Sequence, residues 1–128
     1  MLRRDSSPLL VVVSMLSMAG TALVAGGCGK AEDRGRQLYA ERGCAVCHGA
    51  GGRGDGPSAG RLDIPPRDFA NVRAYRHGSS QHDIAASIRE GSGPRGAMPP
   101  FRDLTDEQAS DIAAWIVSLQ RPSAGGQP

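Results

Sequence analysis

Aromatic residues are scarce in this 128-residue chain, which has two phenylalanines, two tyrosines and one tryptophan. A body of about a hundred residues with so few large apolar side chains builds only a thin core of its own. No stretch alternates apolar and polar residues as a half-buried strand does, and no internal repeat is present. No serine, histidine and aspartate form a recognisable hydrolytic group. Gly51-Gly52-Arg53-Gly54 follows no strand, so it is not a phosphate-cradling loop. From Cys28 onward, 13 Lys+Arg stand against 12 Asp+Glu, dispersed among one another. Nucleic-acid binding needs a clustered basic face, and no nucleic-acid partner is expected. What the chain does have is 18 glycines and nine prolines, the composition of a small, loop-rich domain.

The N-terminus has the layout of an export signal. Arg3 and Arg4 precede an apolar run over residues 9–18, and the small residues Ala25-Gly26-Gly27 follow. Residues 1–27 are assigned to this signal, with a retained anchor as the alternative, because the uncharged stretch over residues 6–29 is long enough for a span. Cys28 sits directly behind the small residues. Leu23-Val24-Ala25-Gly26-Gly27-Cys28 resembles a bacterial lipobox, although Ala25 stands where that pattern usually has leucine. Lipidation at Cys28 would anchor the chain, each buried methylene adding ~0.8 kcal/mol. Residues 28–31 are assigned to a short linker, 32–120 to the domain and 121–128 to a disordered tail.

The other two cysteines lie in Cys44-Ala45-Val46-Cys47-His48, the C-x-x-C-H spacing of a covalent c-type haem attachment. Two thiols three positions apart can each form a thioether to one edge of a porphyrin, and the adjacent imidazole can then ligate the iron. Half of a zinc site is the first alternative, but a closed site needs four ligands, and only His77, His82 and Cys28 remain. A thioredoxin-like dithiol is the second, and it wants a βαβ pattern that is absent. One motif implies one haem, whose apolar surface would supply the burial that the side chains lack.

Met98 is the only methionine beyond the N-terminal segment. It lies in Gly96-Ala97-Met98-Pro99-Pro100-Phe101, where prolines restrict the backbone. It is the candidate for the second axial ligand, and a thioether favours Fe(II) and raises the potential. His77 and His82 are the rivals, both read as surface histidines. The partner of the other His48 ring nitrogen is expected to be a backbone carbonyl, from Pro57 or from Pro65-Pro66. Arg67 or Arg53 is a candidate for a propionate ion pair.

Three helices are expected. The first covers about residues 32–42, with Gly35 and Tyr39 on one face and Gly43 as its stop. The second covers about 81–90, capped by Ser80 and Asp83, with Ile84 and Ile88 as its apolar stripe and Gly91 after its end. The third follows a Thr105/Gln108 capping box and carries Ile112, Trp115, Ile116 and Leu119 on one face. Residues 49–79 form a Gly/Pro segment too long for an ordinary loop, as expected if it wraps a cofactor.

Gly35-x-x-x-Tyr39, Cys44-Ala45-Val46-Cys47-His48-Gly49, Met98-Pro99 and the last helix with Trp115 together resemble a class I monohaem cytochrome c. The segment from Gly52 to Pro57 is similar to the bacterial branch carrying G-x-G-D-G-P. The resemblance implies an all-α fold, three main helices wrapped around one covalent haem with long Gly/Pro loops. It implies that Gly35 permits a close helix crossing, that Tyr39 lies near Trp115, and that the protein transfers electrons in the bacterial periplasm or at the outer face of its membrane. A one-electron carrier with His48/Met98 ligation, redox protein partners and a monomeric state is therefore expected. The alternatives are a haem enzyme or a gas or peroxide sensor with an open sixth position, and a cytochrome subunit of a larger dehydrogenase or oxidase complex.

Overall fold

The computed structural model describes residues 27–120. The export-signal reading of residues 1–27 falls outside them except at Gly27, and the tail of 121–128 falls outside entirely. The side chain of Cys28 is also outside the description. The described residues are helical, with no strand beyond one isolated bridge. Four α-helices follow one another: α1 (Gly27–Glu41), α2 (Ala45–His48), α3 (Gln81–Glu90) and α4 (Asp106–Leu119). Single 3-10 turns lie at Ala59–Arg61, Val72–Ala74 and Pro94–Gly96. Among the described residues no helix is long and apolar enough to cross a membrane.

The expected all-α architecture is what the chain adopts, and α3 and α4 fall on the residues expected of them. At α3, the Ser80 hydroxyl accepts from the Asp83 amide at 3.2 Å and donates to the Asp83 carboxylate at 2.6 Å. At α4 the reciprocal box is complete: the Gln108 amide donates to Thr105 Oγ1 and the Thr105 amide to Gln108 Oε1. Helix α1 differs, because it begins at Gly27 and its first turns include residues 28–31, expected as a linker. The extra helix α2 is one turn formed by the cysteine motif itself.

α1 crosses α4 at Gly35. A methyl group built there would lie 1.9 Å from the Asp111 carbonyl oxygen, so only glycine permits the approach. The crossing brings Tyr39 onto Trp115, with ring centroids 4.5 Å apart. Beside it Arg34 grips Asp111 through two bonds, of 2.7 and 3.0 Å. Asp111 is the buried charge of the core, and a bidentate guanidinium is the geometry that makes such burial tolerable. Ile84 and Ile88 of α3 and Ile112, Trp115 and Ile116 of α4 are all buried with Tyr39 and Leu104. Fully burying one such side chain is worth about 1.5–3 kcal/mol. One side of this small core is left open to a cavity, where the functional residues lie.

Candidate haem site

Helix α2 starts where α1 stops. The Cys44 amide donates to the Tyr39 carbonyl and the His48 amide to the Cys44 carbonyl, which wraps Cys44, Cys47 and His48 into one turn. Such a turn leaves its last carbonyls without intrahelical partners. The glycine-rich loop that follows supplies them. Gly54 donates to His48 at 2.8 Å, Gly56 to Cys47 at 3.1 Å and Ser58 to Val46 at 2.9 Å. The Tyr39 hydroxyl donates to the Gly49 carbonyl at 2.6 Å. The α1/α4 crossing is thereby tied to the end of the cysteine motif.

The same loop orients His48. Gly54 has φ +78°, and a methyl group on it would lie 2.3 Å from the Pro66 carbonyl oxygen. Its absence lets the 66–67 segment come against the end of α2, and the Arg67 carbonyl then lies 3.5 Å from His48 Nδ1. The expected orienting carbonyl is thus neither that of Pro57 nor one within Pro65-Pro66, but the one on the next residue. The spacing alone did not distinguish adjacent carbonyls of one extended segment. The imidazole stacks on Phe69, with centroids 4.6 Å apart and planes 25° from parallel. Phe69 is itself held by its amide on the Gly52 carbonyl at 2.8 Å.

Burial depresses the His48 pKa, and the Arg67 carbonyl opposes that in part. The ring is therefore neutral at pH 7, the form that binds a metal. Burial also pushes the Cys44 thiol up, keeping it protonated, and raises the Tyr39 phenol further still.

A cavity of about 570 Å³ opens beside α2. Cys44, Cys47, His48 and Met98 all line it, among apolar residues such as Ile64, Phe101 and Ile112. Met98 reaches it from a small backbone hairpin. Its amide donates to the Ser92 carbonyl at 2.8 Å, and its carbonyl accepts from the Ser92 amide at 3.0 Å. The turn between them passes through Arg95 at φ +55°.

His77 also lines the cavity, whereas His82 does not. His82 has an exposed side chain 3.7 Å from the Asp83 carboxylate. Arg67 lines the cavity with its guanidinium 4.5 Å from the Tyr75 ring centroid, and Arg53 stays away from the lining. Sequence reasoning missed Phe69, the Ser92 bridge and the place of His77. An aromatic in an otherwise Gly/Pro loop was the available signal for the first.

Volume and lining both suit a porphyrin. Cofactor pockets run from roughly 300 to 1,000 Å³ and are mostly apolar, with a few placed polar groups. Among the described residues no three His, Cys, Asp or Glu side chains converge as a metal site.

Comparisons with known proteins agree with this geometry. Residues 30–116 match the family described as cytochrome c oxidase, cbb3-type, subunit III. Cytochrome c-552 of Hydrogenobacter thermophilus is 31% identical over 66% of this chain and 80% of its own length. Cytochrome c-551 of Azotobacter vinelandii is 30% identical over 67% of this chain and 98% of its own. A protein named thiosulfate dehydrogenase from Psychrobacter arcticus is 35% identical over 70% of this chain, which spans only 26% of that relative's length. Among solved structures, the reducing HAO-like protein complex of Kuenenia stuttgartiensis has a chain with TM-score 0.63 and 31% identity. The likeness covers 72% of this chain and 44% of that one.

Fold and site together define a class I monohaem cytochrome c with covalently bound haem c. The chain belongs to the cytochrome c family described above for cbb3-type subunit III.

Proposed function

We propose that this chain is an exported one-electron carrier in which Cys44 and Cys47 hold the haem and His48 and Met98 ligate its iron from opposite sides. The observation that carries this reading is the meeting of two thiols, a neutral imidazole and a thioether around one largely apolar cavity. When bound, the haem supplies a single Fe(III)/Fe(II) exchange. The chain does the rest. The Arg67 carbonyl and the Phe69 ring fix the plane and tautomer of His48. The Ser92 bridge holds Met98, a ligand that raises the potential. Apolar walls limit water access, and Arg67 is placed to neutralise a propionate.

Residues 1–27 would direct export, as a cleaved signal, as a lipoprotein signal with Cys28 acylated, or as a retained anchor. Cys28→Ala followed by membrane fractionation tests the lipid form, because a protein still membrane-bound is not held by lipid at that position. The central test is the mass of the denatured polypeptide from cells able to mature c-type cytochromes. One added tetrapyrrole is expected, and it is lost in Cys44→Ala/Cys47→Ala. An unmodified wild-type chain would overturn the reading.

A second reading is favoured by the relatives named thiosulfate dehydrogenase: the chain works as the cytochrome module of a larger oxidoreductase. Co-purification with a second subunit would support it. A free, active monomer would count against it.

A further inference from the structure

Two contacts orient His48, and both come from one short segment: the Arg67 carbonyl 3.5 Å from Nδ1 and the Phe69 ring stacked on the imidazole. Both of those residues are in turn gripped by a single side chain, that of Tyr75.

Tyr75 lies six residues beyond Phe69, and the chain folds back to it through a tight reversal. The Ala70 amide donates to Asp68 Oδ1 at 2.9 Å and the Asn71 amide to the Asp68 carbonyl at 3.2 Å. The 3-10 turn Val72–Ala74 follows, and the Tyr75 amide donates to the Val72 carbonyl at 3.3 Å. The half-buried Tyr75 side chain packs against the core and lines the cavity. Its hydroxyl donates to the Phe69 carbonyl at 3.0 Å, and its ring centroid lies 4.5 Å from the Arg67 guanidinium. A cation over an aromatic face is held there by the ring quadrupole. Burial raises the phenol pKa above its ordinary value, so the hydroxyl remains a donor at neutral pH.

Phe69 is thereby fixed on both sides of its backbone, its amide on the Gly52 carbonyl at 2.8 Å and its carbonyl on Tyr75. Only Asp68 separates it from Arg67, so a displacement of Phe69 carries the Arg67 carbonyl with it. At 3.5 Å that carbonyl stands at the outer limit of a hydrogen bond to Nδ1. A small shift of the segment therefore decides how strongly the bond is made.

We propose that Tyr75 is a positioning residue for the iron ligand: through Phe69 and Arg67 it sets the strength of the hydrogen bond from His48 Nδ1, and with it the reduction potential. The inference rests on the carrier reading above, in which Nε2 faces the iron and Nδ1 keeps its proton.

In the reduced holoprotein, labelled for nitrogen NMR, exchange of the His48 Nδ1–H with deuterated water is timed, and the midpoint potential is measured beside it. Tyr75→Phe keeps the ring over Arg67 and removes only the hydroxyl. Exchange should quicken by roughly two- to tenfold, the factor one neutral hydrogen bond contributes to a local opening equilibrium. The potential should rise, because a weaker bond at Nδ1 makes the imidazole less basic, and ferric iron loses more by that than ferrous. Tyr75→Leu removes the ring as well and should quicken exchange further. Thr105→Ala, which weakens the α4 cap, controls for stability alone: it should lower the denaturation midpoint and leave both readouts unchanged. Parental exchange in Tyr75→Phe, a change in one readout without the other, or equal changes in Thr105→Ala overturns the proposal. A chain that acquires no haem overturns instead the carrier reading beneath it.

Discussion

Replacing Gly35 by alanine sets two effects of opposite sign against each other. Glycine inside a helix costs about 0.8–1.0 kcal/mol relative to alanine, so propensity alone says the variant is more stable. The added methyl group would lie 1.9 Å from the Asp111 carbonyl oxygen, 2.5 Å from its carbon and 2.9 Å from the Ile112 nitrogen. All three are backbone atoms of α4, with no rotamer to change. Relief requires the helices to move apart by roughly 1 Å or more, since carbon and oxygen need over 3 Å. That movement loosens the Tyr39–Trp115 contact and the Arg34–Asp111 fork. Overpacking typically costs about 1–3 kcal/mol, and loss of the fork adds to it. The expected net result is destabilisation of about 2 kcal/mol or more. Guanidinium denaturation of the holoprotein, followed by relief of quenching of the sole tryptophan, measures it. An alanine variant as stable as the parent, or more so, refutes the close crossing.

Three further outcomes are expected. Met98→Ala should abolish the far-red methionine-to-iron charge-transfer band and lower the midpoint potential; an unchanged band would assign the sixth ligand elsewhere, with His77 the next candidate to replace. Thr105→Ala should cost about 1 kcal/mol through loss of the α4 capping box, read as a shifted denaturation midpoint with unchanged m-value. The Ser80 hydroxyl holds the Asp83 carboxyl below its ordinary value of 3.8. The stability this adds is fully present above that value and is lost as pH falls through the lower folded value. Asp83→Asn should therefore flatten the acid limb of a circular-dichroism pH titration, and an unaltered limb would remove the claim.

The sequence made some of this legible because local signals and tertiary demands coincide there. Ser80, Gly91, Thr105 and Gln108 act within one turn of themselves, so α3 and α4 could be delimited by reading along the chain. Cys44, Cys47 and His48 are spaced by the chemistry they serve. The start of α1 was not legible, since Gly27 and Gly29 are poor helix formers and the turn forms against propensity. Contacts made across long separations were equally hidden. The Arg67 carbonyl reaches His48 because Gly54 has no side chain, and neither residue advertises the other. Tyr39 and Trp115 were paired only through family resemblance, which carries geometric information that periodicity does not.

The backbone bridge between Ser92 and Met98 has a consequence for tuning. Both of its hydrogen bonds use main-chain atoms, so neither depends on the side chain at position 98 as long as that residue is not proline. Imidazole, amine or thiolate can be presented from that same backbone without redesigning the scaffold. With Met98 as the iron ligand proposed above, the reduction potential would be adjustable by substitution at that one position.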